Sequence, residues 1–230
     1  LNIALHAALE SKKAIAIFSL EMSKEQLTER LLTEQAQIDA QRLHRGQLSE
    51  AEYDRVSNAL GPLGEAAIFI DDTPSMDELT LQLKARQAKM RHNIDMIVVD
   101  YLQLMHGRSR GDDNRVQEVS SISRALKGLA RELRVPVIAI SQLSRAPEQR
   151  PDKRPILSDL RESGAIEQDS DVVMFLFRPE YYKSEERPGI AEVIIAKHRN
   201  GPTGTIELKF RRDHTRFYNL ETRRPEPGTE

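Results

Sequence analysis

The sequence predicts an α/β protein with a mostly parallel sheet flanked by helices and an antiparallel hairpin extension at the C-terminal end. Residues 97–99 form an uninterrupted β-branched run, which is typical of a strand buried on both faces. Similar apolar runs alternate with helix-length segments up to about residue 170, as in a parallel sheet. Beyond that point the runs follow one another across turn residues, as hairpins do.

The other predicted strands are short apolar runs bounded by polar or turn-forming residues. They lie at residues 14–20, 68–70, 135–140, 172–177, 193–196 and 205–210. Residues 200–204 are rich in glycine and proline and are predicted to form the turn between the last two strands. The strand at 97–99 is expected to be central in the parallel sheet.

The first predicted helices lie on either side of the first strand. Residues 1–9 have helical periodicity without a preceding capping residue, which indicates that the sequence begins inside a helix and is a fragment. Ser23 is expected to cap the next helix. A polar helical stretch is expected from residue 40 to residue 60, closed by Gly61 and Pro62.

Two later helices are predicted to be amphipathic. In the helix at residues 76–91, Leu79, Leu83 and Met90 are expected to share one face. The helix at residues 116–133 is expected to bury a stripe made of Val119, Ile122, Leu126 and Leu129. Polar loops are predicted at 107–114 and 144–155. One domain is expected over residues 1–220, followed by a disordered polar tail at 221–230.

The composition excludes several classes of protein. Charged residues make up 30% and hydrophobic residues 39% of the 230 positions, which is typical of a globular chain. The net charge of −2 excludes a broadly basic nucleic-acid surface but allows a local basic loop. The absence of cysteine excludes disulfides and thiolate sites. No signal peptide or membrane-length run occurs, so we expect a cytoplasmic protein without a membrane partner.

Polar side chains follow three predicted strands, namely Glu21, Asp100 and Gln142. The carboxyl ends of parallel strands share the edge where α/β sheets bind ligands. Phosphoryl transfer to water needs a metal-holding acid, a carboxylate that activates water and a polar group near the γ-phosphate. Each residue alone has a simpler explanation as a turn, helix-start or loop residue. The spacing alone leaves both interpretations open.

One part of a nucleotide site is missing from the sequence. No G-x-x-x-x-G-K-[ST] motif occurs in it, so no loop of that type is present to hold phosphates. Without a strand beside residues 15–18, we expect an unpaired edge or a gap in the sheet there. We therefore expect these 230 residues alone not to bind ATP tightly and to be inactive.

Several motifs occur together in a family-specific order. They are FSLEM at 18–22, VVDYLQL at 98–104, ISQL at 140–143, LSDLRESGAIEQDSD at 157–171 and KHRNGPTG at 197–204. Together they resemble the C-terminal motor domain of the bacterial DnaB replicative helicase family. The resemblance implies a RecA-like fold, ATP and Mg²⁺ as cofactors, and a ring-shaped homo-hexamer. It also implies that the Walker A loop and an N-terminal collar domain precede Leu1.

The resemblance assigns roles to the residues at the strand ends. Glu21 would be the catalytic carboxylate that polarises the attacking water. Asp100 would be the Walker B acid, which positions Mg²⁺ through its water shell. Gln142 would link the γ-phosphate to the DNA-binding loops.

Cationic residues receive roles from the same resemblance. Lys197 and Arg199 match a basic pair that reaches into the ATP site of the neighbouring subunit. An arginine supplied in trans stabilises charge in the transition state of phosphoryl transfer. Arg30 is a further candidate for contact with the nucleotide.

Two segments are candidates for contact with single-stranded DNA. Arg161, Glu162 and Gly164 match the family's channel loop, which follows the DNA backbone. A second loop without aromatic residues suits sequence-independent phosphate contact and contains Arg145, Arg150, Lys153 and Arg154. The simpler explanation for both segments is a solvated charged surface.

The predicted function is that of a replicative helicase motor, which couples ATP hydrolysis between ring subunits to movement on single-stranded DNA and duplex unwinding. Primase and a helicase loader are further partners implied by the family. Another RecA-like ATPase, of recombination or repair, is disfavoured by the long motif at 157–171. A non-catalytic oligomerisation or loader-binding module remains the alternative from a different class.

Overall fold

The computed structural model describes residues 1–105, 115–160, 164–183 and 186–220. The helices in these ranges are α1 (Asn2–Leu9), α2 (Lys24–Ala36), α3 (Ala40–His44), α4 (Glu50–Glu65), α5 (Glu78–His92), α6 (Arg115–Leu133), α7 (Ala146–Gln149), α8 (Gly164–Asp169) and α9 (Pro179–Tyr182). The strands are β1 (Ile15–Ser19), β2 (Ile68–Asp71), β3 (Met96–Asp100), β4 (Val137–Ala139), β5 (Val172–Phe177), β6 (Ile190–His198), β7 (Gly204–Arg211) and β8 (Arg216–Asn219). Among the described helices, none has the length and apolar character needed to cross a bilayer.

The strands form two sheets. The first is parallel in the order β2-β1-β3-β4, and the second is antiparallel in the order β5-β6-β7-β8. This arrangement confirms the α/β class with an antiparallel C-terminal part. The expected gap beside residues 15–18 is wrong, because β1 pairs with β2 on one side and with β3 on the other. The outer strands of the parallel sheet are β2 and β4.

The main core lies between the parallel sheet and helices α5 and α6. Ile97 and Val99 of β3 have no exposed surface, in agreement with the predicted internal strand. Helix α6 covers this face with the predicted stripe, of which Ile122 is fully buried. On the opposite face, α1 packs through Ala4 and Ala8 against Ile15 and other residues of the sheet.

Helix α5 presents a different face to the core from the one predicted. Its buried residues are Leu81 and Ala85, whereas Leu79, Leu83 and Met90 are between 47% and 79% exposed. Apolar residues occur on both sides of this helix, so periodicity did not distinguish them. Packing against α6 and β1 selects the side that carries Leu81 and Ala85.

The helical stretch expected at 40–60 is two helices. Asp39 caps α3 by accepting hydrogen bonds from backbone N–H groups, and the N–H and hydroxyl of Ser49 donate to Glu52 to begin α4. Helix α4 also continues through Pro62 to Glu65. Pro62 lacks the N–H that would bond to the carbonyl four residues before it, yet the helix continues for three more residues.

The antiparallel sheet contains one strand that was not predicted. Strand β8 pairs with β7, and Phe217 packs against Phe210 with ring centroids 4.8 Å apart. Four residues are too few to show a period. The predicted hairpin between β6 and β7 is confirmed. The loop predicted at 107–114 and the tail at 221–230 lie outside the described residues.

Glu34 makes the stability of the fold dependent on pH. Glu34 is only 4% exposed, and burial raises the pKa of its carboxyl to about 7, against the opposing charge of Arg216. This pKa lies above the ordinary value of 4.5, so the folded state binds the proton of Glu34 more tightly than the unfolded state does. The resulting contribution to the free energy of unfolding is fully present below pH 4.5 and is lost as pH rises through about 7.

Glu34→Gln is therefore expected to flatten the pH dependence of thermal unfolding. We expect the Tm of the unmodified chain to fall by about 5 °C between about pH 5 and pH 8, and the variant to lose most of that fall. Circular dichroism melts across this range measure it. Glu65→Gln, at an exposed position in α4, is the control and should keep the original slope. An unchanged slope in Glu34→Gln would contradict the prediction.

Candidate active site

The three predicted strand-end residues follow neighbouring strands of the parallel sheet. Strand β3 lies between β1 and β4, and Ser19 pairs in register with Asp100. Glu21 lies just beyond β1, Asp100 is the last residue of β3, and Gln142 follows β4. All three therefore come at the carboxyl edge of the sheet, where an α/β protein binds ligands.

The turn that carries Glu21 is held by local hydrogen bonds. The Ser19 hydroxyl donates to the Met22 carbonyl at 2.7 Å and accepts from the Met22 N–H at 3.2 Å. The Leu20 N–H donates to the Asp100 carbonyl at 2.8 Å, which ties this turn to the end of β3. Glu21 itself is exposed at the top of the turn. Its backbone is thus positioned while its carboxylate is free to meet a ligand.

Asp100 lies in an environment that opposes its negative charge. Burial raises the pKa of its carboxyl, and the nearby Glu21 carboxylate raises it further, whereas Arg30 lowers it. A carboxyl group whose ionisation is opposed by burial and by a nearby carboxylate is a suitable place for a cation. This environment fits the Mg²⁺ site expected at Asp100.

The described residues contain no group of three or more His, Cys, Asp or Glu side chains arranged to hold a metal. Mg²⁺ sites at phosphates commonly use one or two carboxylates, with water and phosphate oxygens as the remaining ligands. Asp100 supplies one such carboxylate, and water and the phosphates of a nucleotide would complete the shell.

Gln142 is positioned by a residue to which the sequence assigned no role. The side-chain amide of Gln103 donates to the Ser141 hydroxyl at 2.9 Å and to the Gln142 carbonyl at 3.3 Å, and its oxygen accepts from the Gln142 N–H at 3.1 Å. Gln103 follows β3, so it joins the end of β3 to the end of β4. The spacing of residues in the sequence did not show that the Gln103 amide both donates to and accepts from the backbone of Gln142.

Lys197 lies near the end of the antiparallel strand β6, and Arg199 directly follows this strand. Arg199 Nη2 donates to the Gln168 carbonyl at 3.0 Å, and Lys197 Nζ donates to the Glu167 carbonyl. Both cations therefore contact the C-terminal part of α8. Arg30 is exposed on α2 and acts electrostatically on Asp100.

The basic loop, which is the loop at 144–155, contains basic residues of two kinds. Arg150 donates from both terminal guanidinium nitrogens, Nη1 and Nη2, to Asp159, which is only 1% exposed. Arg154 binds the buried Glu192 at 2.6 Å and lies 5.1 Å from the ring centre of Phe177. These two arginines hold the loop to buried carboxylates, which the sequence did not indicate because Glu192 is distant along the chain.

The other basic residues of this loop are closer to solvent. Arg145 is exposed, and Lys153 is partly buried and donates to the Glu148 carbonyl. Of the expected channel loop, Arg161 and Glu162 lie outside the described residues, and Gly164 is the exposed first residue of α8.

Comparisons with known proteins place this geometry in a family. The model of the DnaB-like helicase C-terminal domain matches residues 1–219. The replicative DNA helicase DnaB of Geobacillus stearothermophilus is 53% identical over 224 residues, which are 97% of this chain and 49% of that protein. The replicative DNA helicase DnaC of Bacillus subtilis (strain 168) is 51% identical over 229 residues, which are 99% and 50%. The chain spans about half the length of these curated relatives.

Solved structures show the same relationship. One solved ATPase domain superposes with a TM-score of 0.89 at 42% identity, covering 96% of this chain and 80% of that one. A DnaB-like replicative helicase, solved to show its interactions with primase, gives the same TM-score and identity. The superposition covers 96% of this chain and 54% of the helicase chain. The RadB recombinase, at a TM-score of 0.53 and 18% identity, shares only the RecA-like fold. The chain belongs to the family of DnaB-like helicase C-terminal domains.

Proposed function

We propose that this chain is the motor domain of a replicative DNA helicase, in which ATP hydrolysis between ring subunits drives translocation on single-stranded DNA and duplex unwinding. The observation that carries the proposal is the position of Glu21, Asp100 and Gln142 after neighbouring parallel strands. A DnaB-like helicase family member with this arrangement has the acid, the water-activating carboxylate and the polar contact that ATP hydrolysis requires.

Each residue at the strand ends has a distinct chemical task. Glu21, on its fixed turn, orients the attacking water and accepts its proton. Asp100 would hold Mg²⁺ through water, and that ion would supply positive charge to the phosphate oxygens. Gln142 contacts the γ-phosphate, and Gln103 keeps its backbone in place. Arg30 contributes a positive charge near the nucleotide.

The proposal includes a homo-hexameric ring. Lys197 and Arg199 belong to the antiparallel sheet, whereas the strand-end acids follow the parallel one. In the described residues both cations bond to carbonyls of α8, and their match to the family's basic pair supports a role at the ATP site of a neighbouring subunit. There, a guanidinium stabilises the charge that develops on the transferred phosphoryl group.

Single-stranded DNA is the proposed macromolecular substrate. Arg145 and Lys153 supply charge from the basic loop, and Gly164 supplies backbone at the start of α8. Arg161 and Glu162 complete the proposed channel contact. Primase and a helicase loader are proposed partners, and a structural relative of this chain was solved to show its interactions with primase.

Mixing two inactive variants tests the shared ATP site. In the full-length protein, Glu21→Gln and Arg199→Ala are each expected to lose DNA-stimulated ATPase activity. Subunits of the two variants combined in one ring should recover part of it, because some interfaces then pair an intact Glu21 with an intact Arg199. Steady-state phosphate release, with and without single-stranded DNA, measures the recovery.

Arg212→Ala is the matched control, since this arginine is exposed just after β7, and it should remain active. Full activity in both Glu21→Gln and Arg199→Ala would overturn the proposal. The chain would then act as a non-catalytic module for oligomerisation or loader binding.

A further inference from the structure

Helix α8 holds both cations of the proposed trans-acting pair. Lys197 Nζ donates to the Glu167 carbonyl and, at 3.4 Å, to the Gln168 carbonyl. Arg199 Nη2 donates to the same Gln168 carbonyl at 3.0 Å. Carbonyls at the C-terminal end of a helix carry partial negative charge and attract cations. In this arrangement each cation already has acceptors in its own subunit.

Asp171 adds a full negative charge to these acceptors. Its Oδ1 lies 3.4 Å from Arg199 Nε, and its carbonyl accepts the Arg199 N–H at 2.7 Å. Its Oδ2 accepts a hydrogen bond from Lys127 Nζ of α6. The bond from Lys127 is the main cause that lowers the pKa of the Asp171 carboxyl, and the charge of Arg199 contributes. Asp171 is thus shared between cations from two different elements.

The opposite end of α8 begins at Gly164, a proposed DNA contact. Between the two ends, Ile166 packs against both the main core and the cluster beneath the antiparallel sheet. Gly164 and Gln168 are separated by about 6 Å along such a helix, at 1.5 Å per residue. A displacement at the DNA end of so short a helix also moves the carbonyls that hold Lys197 and Arg199.

We propose that Asp171 is a positioning residue that, with the carbonyls of α8, retains Lys197 and Arg199 in their own subunit until DNA contact at the Gly164 end releases them. This inference depends on the proposed function. A cation bonded to its own subunit must break those bonds before it contacts a neighbour's phosphate. DNA promotes hydrolysis to the extent that it binds the released arrangement more tightly than the retained one.

Two substitutions should change ATP hydrolysis in opposite directions. Asp171→Asn removes the charge that holds Arg199, so DNA-independent ATPase activity should rise. Lys127→Met removes the cation that competes for Asp171, so the hold on Arg199 tightens and the same activity should fall. Because these ion pairs are partly exposed, we expect changes of about two- to fivefold. Stimulation by DNA should shrink in Asp171→Asn and grow in Lys127→Met.

The measurement is ATP turnover by full-length rings with and without single-stranded DNA, beside thermal melts of each variant. Glu132→Gln is the control, because it breaks an exposed ion pair between α6 and Arg86 without touching α8. A purely structural role of Asp171 would lower turnover in both Asp171→Asn and Lys127→Met, and that result would overturn the inference.

Arg199→Ala distinguishes the failure of this inference from the failure of the proposed function. If Arg199→Ala abolishes turnover while Asp171→Asn keeps the basal rate and the DNA stimulation of the unmodified protein, the inference alone is wrong. If Arg199→Ala remains fully active, the trans-acting role in the proposed function is wrong, and the inference fails with it.

Discussion

Glu21→Gln is expected to lower kcat for ATP hydrolysis in the full-length protein by about 10²- to 10⁴-fold, the usual contribution of a positioned general base. The affinity for ATP should change little, because Asp100, Gln142 and the turn around Glu21 remain in place. The side-chain amide keeps the size of the glutamate but cannot accept a proton from water. Steady-state turnover and binding of a fluorescent ATP analogue separate the two quantities.

Asp100→Asn is the informative partner of this variant. Loss of the Asp100 charge should lower turnover. It should also make nucleotide binding less dependent on Mg²⁺, since this carboxylate is proposed to hold the ion. Glu25→Gln, at an exposed position in the first turn of α2, is the matched control and should stay within about twofold of the unmodified rate. Equal losses in Glu21→Gln and Glu25→Gln, or loss of binding instead of turnover in Glu21→Gln, would contradict the assignment.

Arg150→Ala is expected to lower the Tm by about 10 °C, because a buried carboxylate loses its ion partner. Asp159 is 1% exposed, and its hydrogen bond to Arg150 is the main cause that lowers the pKa of its carboxyl. Because the pKa of Asp159 is lower in the folded state, its ion pair stabilises the fold at pH values above the unfolded pKa of 3.8. This stability is lost as pH falls through the folded-state pKa. The variant should therefore also lose part of the resistance to acid below about pH 4.

Arg145→Ala belongs to the same loop and is the control for Arg150→Ala. Since Arg145 is exposed, its removal should leave the Tm almost unchanged while it weakens binding of single-stranded DNA. Thermal melts and fluorescence anisotropy with a labelled oligonucleotide measure both effects. A small change in Tm for Arg150→Ala with a large loss of DNA affinity would instead assign Arg150 to DNA contact.

Sequence patterns correctly predicted the helices and strands that are buried in the same way along their whole length. Residues 97–99 contain no polar side chain, and β3 is internal. The spacing of Val119, Ile122, Leu126 and Leu129 matches a single buried stripe on α6. Such patterns work because burial on one or both faces places the same demand on every residue of the element. Helix α5 has apolar residues on two sides, and its periodicity gave the wrong face.

The candidate site was predicted in part. Glu21, Asp100 and Gln142 were identified because each directly follows an apolar run, and this relation is local in sequence. Gln103 was missed because its role is a pair of hydrogen bonds to the backbone after another strand. Such contacts depend on which strands are neighbours, and a single sequence does not show that.

Sequence alone determined the α/β class, the internal strand and the acids at the carboxyl edge of the sheet, since these follow from local polarity and periodicity. Tertiary structure alone decided how each charge is used. Arg150 and Arg154 lie in one basic loop with Arg145, yet Asp159 and Glu192 bind the first two and leave Arg145 exposed. The physical reason is that ionising a buried carboxylate is costly without a cation beside it, and the fold determines which arginine lies close enough to pair with it.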